Sequence, residues 1–146
     1  MEELRIENWL IRFNRIATCE AHAKITSGYP ESCACVDCTN FIKNRNEAYP
    51  PKFQTLLHNL GIIQNHEAEV VSLGPLSNGL FLYSGWFHFV GEVIKDPGDH
   101  LPIGLHFRYF FTKHTALVPT FFNGEPIVQI EFETEVSLKL PTSKID

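Results

Sequence analysis

The sequence predicts an α+β fold, an antiparallel sheet of about five or six strands with one or two short helices, and three observations predict it. In residues 128–140, Val128, Ile130, Phe132, Thr134, Val136, Leu138 and Leu140 alternate with polar or charged neighbours. A period of two gives a strand one buried and one wet face. In residues 41–63 the period lengthens, and Phe53, Leu56, Leu57 and Leu60 follow helical spacing. Between 18 and 40 lie all four cysteines, with Gly28 and Pro30 among them, which reads as loop chemistry. An all-β sandwich or half-open barrel with helical decoration is the alternative.

Taken in order, residues 4–17 fit two patterns. Trp9, Ile11 and Phe13 alternate as in a strand, while Ile6, Trp9, Leu10, Phe13, Ile16 and Ala17 also make a helical stripe. Their β-branched and aromatic content favours the strand. Phe41 and Ile42 open a first helix; Pro50 and Pro51 interrupt it, and Pro51 suits the first turn of a second. Gly61 then reads as a C-terminal cap. Residues 67–140 form the β-rich part. Residues 80–90 are apolar on both faces, which marks a central strand, and 105–111 and 115–122 make shorter ones. Asn78-Gly79 and Asn123-Gly124 are the tight-turn candidates. The 146 residues suit one domain.

The cysteines carry the chemistry. Cys19-x-x-His22 and Cys35-x-x-Cys38 are two short chelating pairs, and a two-residue gap lets one chain bend supply two donors to a tetrahedral zinc. Cys33 stands two residues before Cys35 and can also chelate. Two ligand sets therefore compete: Cys19, His22, Cys35 and Cys38, which is preferred for its spacing, or all four cysteines. Three or four thiolates donate charge to the metal and weaken it as a Lewis acid, so one structural zinc ion is expected rather than a catalytic one. Buried inert cysteines and a redox pair at Cys35 and Cys38 are the competing readings.

Composition narrows the function. Net charge is −5, from 12 basic and 17 acidic residues, with no basic run, so a nucleic-acid partner is disfavoured. No apolar stretch is long enough to cross a bilayer. The Met-Glu-Glu start lacks a secretory signal and the Ser-Lys-Ile-Asp end lacks a lipidation box, so the cytoplasm is the expected location. Thiols stay reduced there. No phosphate loop, zinc-protease helix, nucleophile elbow or dinucleotide fingerprint occurs.

Other candidates are single residues. His88 lies among Trp86, Phe87, Phe89 and Val90, as a packed histidine or a pocket base. Thr112-Lys113-His114-Thr115 is a turn or a binding mouth. His106 and Arg108 point outward or into a groove, and Glu131, Glu133 and Glu135 form a solvated acidic face.

The segments Cys19-x-x-His22, Cys33-x-Cys35-x-x-Cys38-x-Asn40-Phe41 and Tyr83-x-Gly85-x-x-His88-Phe89-Val90-Gly91 together resemble a family of uncharacterised bacterial proteins, over residues 10–138. In that family the first pair is often Cys-x-x-Cys, so His22 departs from it with an imidazole in place of a thiolate. The resemblance implies one domain with a cysteine-rich N-terminal part and a β-rich remainder, and no activity. The expected function is a non-enzymatic binding or interaction module with a structural zinc, its partner a protein or small ligand and a homo-oligomer possible. An enzyme with a cleft around His88, His106 and His114 is the alternative, and a nucleic-acid binder ranks third.

Overall fold

The computed structural model describes residues 1–140, and among these it forms four helices and a seven-stranded antiparallel sheet. The C-terminal lipidation reading falls on residues 141–146, outside the described ones. The α+β class holds, with one or two strands more than the five or six expected.

Residues 4–17 satisfy both of their patterns in succession. They hold most of a hairpin, β1 (Glu2–Ile6) and β2 (Trp9–Phe13), and the start of a helix, α1 (Arg15–Ala23). Glu7 turns the hairpin with φ of 49°, and the Asn14 side chain caps α1 by accepting from the Ala17 N–H. The loop reading of residues 18–40 is corrected. That span carries the rest of α1, a short helix α2 (Tyr29–Cys33) and the start of α3 (Val36–Ala48). The buried side of α1 is Thr18, Ala21 and His22, which leaves no apolar period to read. Helix α4 (Pro51–Leu60) begins at Pro51 and ends at Gly61, whose φ of 88° a side chain rarely adopts.

The β-rich part contains β3 (Glu69–Pro75), β4 (Phe81–Lys95), β5 (Leu101–Pro102), β6 (Phe107–Thr112) and β7 (Ile127–Val136). Strand β4 is central, as its two apolar faces require. It pairs with β7 along residues 81–90, with β3 along 81–86 and with β2 along 91–95. The strand expected at 115–122 does not form. Leu117 takes a φ of 57°, Pro119 removes a donor, and residues 120–122 make a single 3₁₀ turn. Side chains catch this backbone instead: the Ala116 N–H donates to Gln129 and its carbonyl accepts from Trp86.

The odd residues of β4, Tyr83, Phe87 and Phe89, face a core that α3 and α4 complete with Phe41, Phe53, Leu57 and Leu60. Phe132 on β7 packs between Tyr49 and Phe107 in the same layer. A second, smaller cluster of Ala21, Val90 and Phe122 lies under α1. Between the ends of β3 and β2, the edge of β4 has no strand beside it, and α1 fills the gap with side chains. The Thr18 hydroxyl accepts from the Val90 N–H, and His22 donates to the His88 carbonyl. The Asn14 N–H donates to the Val90 carbonyl and continues the row into β2.

Candidate metal centre

Local chain geometry builds the centre from three consecutive turns. Gly28 caps α2, Pro30 pre-sets its first turn, and the helix ends at Cys33. Ala34 then takes a left-handed conformation, φ 53°, and reverses the chain. Cys35 is extended and caps α3, its sulfur accepting the Cys38 N–H at 3.3 Å. Thr39 reinforces the cap by donating its hydroxyl to the Cys35 carbonyl at 2.8 Å. Cys35 and Cys38 are thus bracketed by the first turn of one helix, and the turn at Ala34 folds Cys33 back onto them.

The result is a cluster in which the Sγ atoms of Cys33, Cys35 and Cys38 all lie within 4.8 Å of one another. Three sulfurs at ordinary zinc bond lengths in a tetrahedron stand about 3.8 Å apart. A small rotation of the thiols therefore suffices to hold an ion. Cys33 and Cys35 are exposed and Cys38 is buried. The Cys35 backbone N–H, with the thiols of Cys35 and Cys38 and the Tyr29 hydroxyl, holds the Cys33 thiol below its usual range. Burial, then the neighbouring sulfurs, pushes the Cys38 thiol far up. A cation among the three would relieve that repulsion, since thiolates bind metals and thiols do not.

Cys19 and His22 stand elsewhere. Cys19 is half-buried on α1, against Gly61 at the end of α4, where a methyl group on that glycine would come within 3.1 Å of its sulfur. The His22 ring spends both nitrogens on backbone: Nε2 lies 2.9 Å from the His88 carbonyl and Nδ1 accepts from the Ile63 N–H at 3.4 Å. The structure brings together the Cys35-x-x-Cys38 pair and Cys33, and does not bring the Cys19-x-x-His22 pair to them. Among the described residues, no other His, Cys, Asp or Glu comes within the same distance of all three sulfurs.

A buried ionic clamp fixes the two helices that carry the cluster. Arg45 of α3 makes a paired hydrogen bond to Glu67 at 3.0 and 3.0 Å and another to Glu31 of α2 at 2.6 and 2.8 Å. Tyr49 donates its hydroxyl to Glu67 at 2.6 Å. Burial raises the Glu67 carboxyl above its ordinary range, and Arg45 and Tyr49 oppose that rise. Charge-assisted bonds of this paired kind fix orientation as well as distance.

A cavity of about 220 Å³ opens beside the cluster, lined by the three cysteines with Tyr29, Glu69 and Tyr83. A larger hollow of about 300 Å³ lies between α2 and the 117–121 loop, with His66, Leu117 and Phe121 on its walls. The remaining candidates scatter. His88 is buried with Nε2 on Gln129 at 2.9 Å, the packed histidine of the two readings. His106 and Arg108 pair at the surface with Glu135 and Glu133. His114 is exposed in a turn closed by Thr112. Sequence reading missed Arg45, Glu31, Glu67 and Glu69, since charged residues on a helix or at a strand end ordinarily face water and carry no signal of a partner.

The chain matches no protein-family model, no curated protein and no solved structure.

Proposed function

We propose that this protein is a zinc-binding module that works by binding a protein or small ligand rather than by catalysis, with one ion held by Cys33, Cys35 and Cys38. One observation carries the reading: three sulfurs from two helix ends lie within 4.8 Å of one another around an N–H···S-capped turn. Soft thiolates in a compact set select zinc among the common divalent ions. The ion would tie the end of α2 to the start of α3. Among the described residues no helix is long and apolar enough to cross a membrane, and free thiols suit a reducing compartment such as the cytoplasm. Net charge of −5 argues against a nucleic-acid backbone as partner. The alternative enzyme on His88, His106 and His114 gains no support, because the three side chains occupy separate surroundings.

Metal content and thiol counting test this. One zinc per chain is expected, with three thiols protected from an alkylating reagent until a chelator is added. Replacing Cys33, Cys35 or Cys38 by Ser should weaken zinc binding at least about tenfold. Cys19→Ser should leave it unchanged. Full zinc content in a Cys33→Ser, Cys35→Ser double variant removes the proposal.

A further inference from the structure

Resting on that zinc reading, we infer that the fourth coordination position of the cluster accepts an exogenous thiol. The cluster supplies three sulfurs, and zinc with thiolate ligands takes four donors in a tetrahedron. Among the described residues none of the other candidate donors reaches the group, and Cys19 and His22 are engaged on another part of the fold. A closed structural site is therefore incomplete from this set alone. The cavity of about 220 Å³ is lined by Cys33, Cys35 and Cys38, of which the first two are exposed, so a donor from outside has room to approach.

The walls select the kind of donor. Glu69 and Asp37 line the same cavity, with the Glu69 charge beside Tyr29, and three thiolates on a divalent ion leave a net negative centre. Carboxylate, phosphate and other anionic oxygen donors are repelled on entry. A neutral thiol is not. Tyr29, Tyr83 and Val70 offer it a partly apolar wall, and sulfur matches the softness of the other three ligands. At the metal, the S–H bond breaks and a zinc–sulfur bond forms. The proton passes to solvent, and the water holding the position leaves. No electrons are transferred. The ligand class is an uncharged thiol of side-chain size, free or at the tip of a partner's cysteine.

Cobalt(II) reports the number of bound sulfurs through its charge-transfer absorption. The full chain is loaded with one equivalent of cobalt and titrated with 2-mercaptoethanol, with acetate as the comparison ligand. The inference expects the sulfur-to-cobalt band to rise by about a third, as three sulfurs become four, and expects no change with acetate. The Cys19→Ser variant should give the same rise. A band that stays flat with thiol, or one that bleaches because the thiol strips the metal, overturns the inference and leaves the zinc reading standing. A larger response to acetate than to thiol also overturns it. Failure of the untreated chain to develop any sulfur-to-cobalt band takes down both.

Discussion

His22 would have to surrender the Ile63 hydrogen bond to bind a metal through Nδ1, and the His88 one to bind through Nε2. The Ile63 N–H points at Nδ1, so the ring proton sits on Nε2, where it is donated to the His88 carbonyl. Burial pushes its pKa down from 6.5 to about 4, with the His66 and His88 rings adding to the shift and the His88 carbonyl opposing it. The folded chain thus refuses a proton that the unfolded chain accepts between those values. Its contribution to stability is complete above pH 6.5 and falls as the pH drops toward 4. The loss between pH 7 and 4.5 should be about 2 to 3 kcal/mol. His66 and His88, also lowered by burial, act in the same direction. Urea unfolding at the two pH values checks this. His22→Gln keeps a donor for the His88 carbonyl without titrating, so the difference should shrink. An unchanged difference would assign the acid sensitivity to other groups.

At the scale of elements, α1 acts as a spacer in a sheet. It lies where β4 has lost β3 and not yet gained β2, and its side chains satisfy the backbone that a strand would otherwise satisfy. Thr18 does this with one hydroxyl, which accepts from the Val90 N–H at 3.0 Å and donates to the Asn14 carbonyl at 2.8 Å. Thr18→Val preserves shape and removes both bonds. It should cost about 1 to 3 kcal/mol, because a buried N–H is left without a partner. Denaturant unfolding reads the loss, and zinc content should not change. The helix was illegible in sequence for the same reason that it works: its inward face is Thr18, Ala21 and His22. A short face of small and polar residues has no hydrophobic period. By contrast, β7 was legible to within its last residues, since its alternation puts apolar side chains into a deep core on one side. The other side, expected to be solvated, is half-buried, with Gln129 buried and Glu133 and Glu135 paired to Arg108 and His106.

For the whole molecule, the aromatic core and the cysteine cluster are separate sources of order. Phe41, Tyr49, Phe53, Phe87 and Phe132 interlock without any contribution from sulfur, and the Arg45 clamp holds α2 to α3 independently of a metal. Chelation should therefore leave far-ultraviolet circular dichroism nearly intact and lower the melting temperature by a few degrees. Hydrogen exchange should speed up mainly in residues 28–40. Global unfolding on chelation would show instead that the ion supports the core, as it does in the smallest zinc domains.

The sequence by itself determined the class of fold, the central strand, the capped helix α4 and the sulfur-rich segment. Each of these rests on a local period, a turn residue or a short spacing, which neighbouring residues settle among themselves. Tertiary structure alone decided which donors meet. Cys19-x-x-His22 and Cys35-x-x-Cys38 have the same spacing, yet α1 is drawn into the gap along β4 by backbone groups that need partners. That seat turns His22 to the His88 carbonyl and Cys19 to Gly61. Only the left-handed turn at Ala34, held in place by Arg45, Glu31 and Glu67, leaves sulfurs facing one another.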